Sequence, residues 1–128
     1  MGKKIVVIGG VAAGPKAAAR ARRLDPSAEI TIVEKDELLS YAGCGLPYYI
    51  SGMVEDRRQL MATPIGVLRD PKFFAQVKDI KVLNRTRATA IDRVTREVEV
   101  FCRQAGITVV RCDSSEGLRR HLDQLAAM

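Results

Sequence analysis

The sequence is poor in the residues from which metal sites, disulfide frameworks and base-stacking surfaces are built. Its 128 residues include one histidine, three cysteines, no tryptophan, three tyrosines and three phenylalanines. An odd number of cysteines without a CxxC spacing argues against a disulfide scaffold and against a zinc site. The single histidine, His121, argues in the same way against histidine-based metal or triad chemistry. We therefore expect no metal centre.

A long apolar run is also absent. No segment approaches the roughly 18 apolar residues that a membrane-spanning helix needs. The N-terminus resembles a signal peptide only superficially, because glycines and an arginine-rich stretch follow the apolar residues 5–8 at once. A chain of this length with 47% hydrophobic residues has enough apolar material for one core. We expect one soluble domain in the cytoplasm.

Acidic residues are outnumbered, and the formal net charge is +6. The basic residues are scattered through predicted helices, and few aromatic side chains are available to stack on bases. We therefore expect no nucleic-acid partner. Binding of a phosphate-rich cofactor explains the excess positive charge better.

Strand-forming and helix-forming segments alternate in the first part of the chain. Residues 4–8 are a short β-branched run typical of a buried parallel strand. Residues 12–24 are rich in alanine and arginine and predict a helix, and residues 29–34 predict a second strand. A strand, a glycine turn, a helix and a strand in this order form a βαβ unit, whose crossover makes the two strands parallel.

Shorter elements are predicted beyond this unit. Residues 38–52 are glycine-flanked and aromatic, which is typical of a short helix or turn packed against a ligand, and residues 54–63 are polar enough to predict a surface segment. We further predict a helix at 70–77, a strand at 80–83 and a hairpin of strands 86–91 and 97–101. The fold class is therefore α/β, a Rossmann-like βαβ domain with a parallel sheet plus a β-hairpin.

The glycine-rich turn after the first strand is the first candidate site. Gly9 permits a tight turn, Gly14 permits close packing of the helix on the sheet, and the helix N-terminus offers N–H groups to a pyrophosphate. Val11 replaces the middle glycine of the usual GxGxxG pattern. Glu34 follows Gly14 at the distance expected of a carboxylate that binds an adenosine ribose. The alternative is a βαβ unit whose glycine turn binds no ligand.

Cys44 is the second candidate. Glycines flank it on both sides, which lets backbone and cofactor approach closely, and Pro47 stiffens the segment. A reactive thiolate needs a lowered pKa, which a helix N-terminus or a nearby cation supplies. The alternative is a buried structural cysteine, but an aromatic, glycine-rich loop after a dinucleotide fold favours redox chemistry.

These residues together resemble a known family. Residues 4–100 are similar to the N-terminal FAD-binding segment of the single-cysteine pyridine nucleotide-disulfide oxidoreductases, and within them to the coenzyme A-disulfide reductases and the polysulfide or persulfide reductases. Leu-Pro-Tyr-Tyr after the cysteine separates this group from the related NADH oxidases and peroxidases, and Val11 is usual in it. The matching segments are residues 7–14, 18–23, Glu34 and 40–49.

The resemblance implies a reaction and a role for each matching residue. In the family, NAD(P)H reduces FAD, and electrons pass to a cysteine-centred disulfide with release of thiol; Cys44 would be that redox cysteine. In the alternative interpretation, the arginines of the first helix lie on a solvated helix face. Tyr48 and Tyr49 would likewise be core aromatics. The implied FAD-binding residues are Gly9, Val11, Ala12, Gly14, Glu34, Lys35 and Ala88. The implied substrate-binding residues, for coenzyme A or another small disulfide, are Arg20, Arg22 and Ser40.

The tail is expected to differ from the rest. We divide the chain into a FAD-binding segment at residues 1–100 and a βα tail at 101–128 that packs on the same domain. The tail is either a foreign or frame-altered ending, or a strand at 107–112 beside the first strand followed by a helix that Asp113 and Glu116 cap. The family's NAD-binding and dimerisation domains have no counterpart in the tail. We therefore expect the chain to be catalytically incomplete, although a homodimer stays possible.

A rival interpretation keeps the nucleotide fold without the enzyme. The chain would then be a non-enzymatic nucleotide- or coenzyme A-binding module, with Cys44 merely acylated or thiolated.

Overall fold

The computed structural model describes residues 2–102 and 106–111. In this part of the chain no helix is both long and apolar enough to cross a membrane. The strands are β1 (Lys4–Ile8), β2 (Glu29–Val33), β3 (Lys81–Leu83), β4 (Thr86–Asp92), β5 (Glu97–Cys102) and β6 (Gly106–Arg111). The α-helices are α1 (Ala13–Leu24), α2 (Leu46–Ile50) and α3 (Pro71–Lys78), and 3-10 turns span Gly43–Gly45 and Arg57–Met61.

The first three strands form a parallel sheet in the order β1-β2-β3, as the βαβ pattern predicts. In β1, Val6 pairs with Thr31 of β2, and Val7 pairs with Ile32. All residues of β2 after Glu29 are buried, which agrees with a strand covered on both faces. The C-terminal ends of β1 and β2 are therefore adjacent. A dinucleotide-binding fold builds its site at these strand ends.

Helix α1 packs on this sheet through its alanines. Ala18 is fully buried in a core that also contains Ile30 and Ile32 of β2. The same core receives Phe74 from α3, a helix that Asp70 caps by accepting a hydrogen bond from the Phe73 N–H at 2.8 Å. Small side chains bring α1 close to the strands, so that its N-terminus lies directly beside the glycine turn.

The predicted hairpin is part of a larger sheet. Strands β4, β5 and β6 form an antiparallel sheet, in which Val98 and Val100 of β5 are buried against Val6 and Val33 of the parallel sheet. The tail strand pairs antiparallel with β5, so the alternative in which it lies parallel beside β1 was wrong. Hairpin pairing of consecutive strands needs only a short connection, whereas a parallel neighbour needs a crossover. The predicted tail helix, with Cys112, lies outside the described residues.

The prediction of a surface segment at residues 54–63 is confirmed for all of these residues except Met61, since the others are exposed or half-buried. A 3-10 turn occupies Arg57–Met61, and Asp56 caps it by accepting from the Arg58 N–H at 2.9 Å. The side chain of Met61 is only 5% exposed. An isolated bridge between Ala62 and Leu68 then closes the loop. Met61 is therefore the one buried apolar residue of this polar segment, and its packing into the domain holds the segment in place.

Candidate functional site

The turn between β1 and α1 has the geometry that its two outer glycines predict. Gly9 has φ of 104°, a conformation that side chains with a Cβ rarely adopt. A Cβ on Gly14 would lie 1.7 Å from the carbonyl oxygen of Gly9. Because only glycine fits at this second position, the first turn of α1 reaches the backbone of the loop.

The N-terminus of α1 is suited to an anion. The preceding residue, Ala12, gives no side-chain cap, and the first turn contains no acidic residue. The first N–H groups of a helix have no partner within it, and the helix dipole places partial positive charge there. Val11 and Ala12 lie beside these groups, where the sequence predicts contact with a pyrophosphate.

Glu34 follows β2 and holds the glycine turn in place. Its carboxylate is buried and accepts hydrogen bonds from the N–H groups of Gly10 at 2.6 Å and Asp36 at 2.9 Å. The carbonyl of Gly10 in turn accepts from the N–H of Ser40 at 2.7 Å. A carboxylate has about four acceptor positions, so two backbone donors leave capacity for hydroxyl groups of a ligand.

A cleft of about 210 Å³ opens beside this carboxylate. It lies between the end of the parallel sheet and the start of β4, whose Thr86 N–H donates to the Glu34 carbonyl at 2.9 Å. The cleft brings together four residues that the sequence assigns to the cofactor. These are Gly9, Glu34, Lys35 and Ala88.

Cys44 is an exposed free thiol in the 3-10 turn Gly43–Gly45, directly before α2. The interpretation of Cys44 as a buried structural cysteine was therefore wrong. Tyr48 and Tyr49 are 54% and 39% exposed, so neither is a core aromatic. The thiol is accessible to a disulfide in solution, and an exposed aromatic surface lies next to it in the sequence.

A second, larger groove of about 480 Å³ runs between α1 and α3. Val11, Ala12 and Ser40 line it, so it adjoins the glycine turn and the loop that leads to Cys44. Four basic residues that the sequence analysis did not assign to a site also line it, namely Lys16, Arg23, Arg69 and Lys78. The helical spacing of Lys16 and Arg23, two turns apart on one face, was a signal for the first pair.

The two predicted substrate arginines of α1 are elsewhere. Arg20 is exposed and does not line the groove. Arg22 points to the loop after α3, where its guanidinium donates to the carbonyls of Pro26 and Asp79. Its side chain is only 18% exposed, so the alternative of a solvated helix face does not describe Arg22.

Known proteins place this arrangement in a family. The family model described as pyridine nucleotide-disulphide oxidoreductase matches residues 3–114. The coenzyme A disulfide reductase of Staphylococcus haemolyticus is 42% identical over 102 residues, which are 80% of this chain and 22% of that protein.

Two solved structures extend the likeness to the fold. The NAD-dependent persulfide reductase from A. fulgidus has a TM-score of 0.82 and 43% identity, over 86% of this chain and 20% of that one. Reduced CoADR-RHD from Bacillus anthracis has a TM-score of 0.78 and 30% identity, over 88% of this chain and 19% of that one. The chain thus spans about a fifth of the length of the relatives that it matches. It belongs to the pyridine nucleotide-disulphide oxidoreductase family.

Proposed function

We propose that this chain is the FAD-binding portion of a flavin-dependent NAD(P)H:disulfide oxidoreductase of the coenzyme A-disulfide or persulfide reductase type, with Cys44 as its redox cysteine. The family is one of oxidoreductases that use FAD and NAD(P)H. The observation that carries the proposal is the cleft in which Gly9, Glu34, Lys35 and Ala88 meet beside the open N-terminus of α1.

The residues of this end of the sheet fit the ADP half of FAD. The α1 N-terminus would bind the pyrophosphate, with Gly9, Val11, Ala12 and Gly14 along it. Glu34 would accept hydrogen bonds from ribose hydroxyls while it keeps its two backbone donors. Lys35 and the backbone of Ala88 would border the adenosine. The chemistry that FAD supplies when bound is hydride acceptance and the delivery of two electrons to a disulfide.

Cys44 would react as a thiolate. Its sulfur attacks one sulfur of a small disulfide, the S–S bond of that substrate breaks, and the leaving thiolate takes a proton from solvent. The product is a mixed disulfide on Cys44, and two electrons are needed to release the second thiol. Exposure of the side chain supports this role, because the attacking sulfur must reach a substrate from solution.

The groove between α1 and α3 supports an anionic substrate. Lys16, Arg23, Arg69 and Lys78 give it four positive side chains, and Ser40 adds a hydroxyl on the side of the Cys44 loop. Coenzyme A combines a thiol with phosphate groups, which suits a cationic groove that leads to a cysteine. Arg20, exposed on the same helix, would contribute long-range attraction rather than direct contact.

Absorbance and binding measurements on the 128-residue chain test the proposal. We expect flavin absorbance at about 450 nm after purification or after addition of FAD. Glu34→Gln should weaken FAD binding, whereas the matched control Glu37→Gln, on an exposed carboxylate, should not. A colourless chain that binds coenzyme A but no FAD would instead support the rival binding module.

The catalytic state of the isolated chain needs a separate assay. We expect residues 1–128 to form the mixed disulfide but not to release thiol continuously with NADH or NADPH. Continuous NADH-dependent thiol release by the chain would overturn the expectation of incompleteness and leave the FAD assignment intact.

A further inference from the structure

We propose that Arg22 is a positioning residue that holds Lys78 at the wall of the cationic groove, and that it does not contact substrate itself. The inference rests on the proposed function, because it takes the groove between α1 and α3 as the binding site of a phosphate-bearing disulfide. The resemblance implied that Arg22 binds substrate directly, and the inference gives Arg22 a positioning role instead.

The guanidinium of Arg22 links two backbone carbonyls, those of Pro26 and Asp79. One terminal nitrogen donates to the carbonyl of Pro26, just after α1, at 2.8 Å. The other donates to the carbonyl of Asp79 at 2.6 Å and lies 3.4 Å from its carboxylate. The α1 C-terminus and the α3 C-terminus are thereby joined across 57 residues of sequence.

The contact falls on a backbone position that determines where α3 ends. Asp79 has φ of 53°, the left-handed conformation of a C-terminal cap, and its N–H donates to the Phe74 carbonyl. The following residue, Ile80, is 1% exposed and leads into β3. Lys78 is the last residue of α3, directly before this cap, so the position of its Cα follows from that of Asp79.

The groove needs such a fixed point because its charges repel one another. Lys78 comes from α3, whereas Lys16 and Arg23 come from α1, and Arg69 precedes α3. Like charges around one groove favour separation of the two helices when no anion is bound. The link from α1 to Asp79, next to Lys78, opposes that separation. It keeps the four cations around one groove, where phosphate groups would bind.

The hydrogen bonds of Arg22 are not optimal for stability alone. Its Nε is buried and has no hydrogen-bond partner among the described residues. An unpaired buried donor costs free energy, and a purely apolar side chain would avoid this cost only by giving up the bonds to the Pro26 and Asp79 carbonyls. The arginine therefore fits a role in geometry better than a role in core packing.

Binding of two probes distinguishes a positioning role of Arg22 from a general effect of the substitution on the structure. Coenzyme A carries the phosphate groups, and pantetheine is the same thiol arm without the nucleotide. We expect Arg22→Met, which keeps an apolar stem, to weaken coenzyme A binding about tenfold by titration calorimetry and to leave pantetheine binding unchanged. Arg22→Lys should restore part of the loss. The matched control Lys81→Ala, at the exposed start of β3 and outside the groove, should change neither.

Combination with Lys78→Ala gives the decisive comparison. If Arg22 acts through Lys78, the double variant should bind coenzyme A no more weakly than Lys78→Ala does, because the second loss is already contained in the first. Losses that multiply, or an equal loss for pantetheine, would overturn the inference while the proposed function stands. If the unmodified chain does not bind coenzyme A, the proposed substrate fails and this inference fails with it.

A folding control separates a loss of coenzyme A binding from a loss of the folded structure. Circular dichroism should show the same secondary structure in each variant. If Arg22→Met does not fold, the same comparison is made with Arg22→Lys and with Asp79→Gly, which removes the paired carboxylate but suits the left-handed backbone. Coenzyme A binding unchanged in both would overturn the inference.

Discussion

The carboxylate of Glu34 accepts a hydrogen bond from the backbone N–H of Gly10 at 2.6 Å, across 24 residues of sequence. The bond joins the end of β2 to the glycine turn after β1. Since the second carboxylate oxygen is held by the Asp36 N–H at 2.9 Å, the acidic side chain is fixed before any ligand is present. The residue that would bind a ribose thus also shapes the loop that would bind the pyrophosphate.

Replacement of Glu34 should therefore affect stability in the absence of cofactor. Both carboxylate oxygens of Glu34 accept from backbone N–H groups. In Glu34→Gln one of these oxygens is replaced by an NH₂ group, which is a donor, so one backbone N–H loses its acceptor. We expect the free energy of unfolding to fall by about 2 kcal/mol, the cost of an unsatisfied buried donor. Urea denaturation of the cofactor-free chain measures it. Glu37→Gln, which removes only an exposed ion pair with Arg85, should cost less than about 1 kcal/mol. Equal losses in the two variants would contradict the structural role of Glu34.

Close approach of α1 to the glycine turn predicts an order of stability losses. Gly14→Ala would bring a Cβ to 1.7 Å from the Gly9 carbonyl oxygen, so backbone must move, and we expect a loss of about 3 kcal/mol. Gly9→Ala meets no atom within 4 Å but forces alanine into φ of 104°, at a cost of about 1–2 kcal/mol. Gly43→Ala has neither problem and serves as the control. Thermal unfolding gives the order, and a Gly14→Ala variant as stable as Gly43→Ala would contradict it.

The exposed thiol of Cys44 should be modified readily by a small disulfide. Incubation with coenzyme A disulfide should give one added coenzyme on the chain, located at Cys44 by mass spectrometry of peptides under non-reducing conditions. Cys44→Ser should abolish this adduct without loss of stability, because the side chain lies at the surface. Cys102→Ser, at a half-buried position of β5, is the matched control and should keep the adduct at Cys44. Preferential modification of Cys102 would count against Cys44 as the redox cysteine.

The turn after α1 should show a measurable pH response. The Ser27 hydroxyl, which donates to Asp25 at 2.6 Å, is the largest cause that holds the pKa of Asp25 below its ordinary value of 3.8. A carboxyl whose pKa is lower in the folded chain stabilises it fully above 3.8, and this contribution is lost as the pH falls through the folded value.

An NMR titration of the side-chain carboxyl carbons tests this link. Ser27→Ala should raise the pKa of Asp25 toward its ordinary value. The pKa of Asp92 should stay lowered in the same variant, because it depends chiefly on the backbone N–H groups of Thr95 and Val94. No change at Asp25 would assign its lowered pKa to the backbone N–H of Ser27 instead, at 3.0 Å.

Local chemistry explains which elements could be predicted. The β-branched runs, the alanine-rich helix and the Asp-Pro start of α3 act within a few residues, and the structure has them within a residue or two of the predicted bounds. The pairing of β6 with β5 was not predicted, because an isolated strand pattern carries no information on its neighbour. Met61 was missed since one apolar residue in a polar segment has no periodicity.

The amino-acid sequence by itself determined the βαβ unit, the glycine turn, the acidic end of β2 and the cysteine loop, because each depends on residue types at short spacing. Tertiary structure alone decided which cations share a groove: Lys16 and Lys78 are far apart in the chain, and the packing of α3 against α1 brings them together. It also decided that Arg22 faces Asp79 rather than the groove, since the direction of a helical side chain depends on how the helix lies on the sheet.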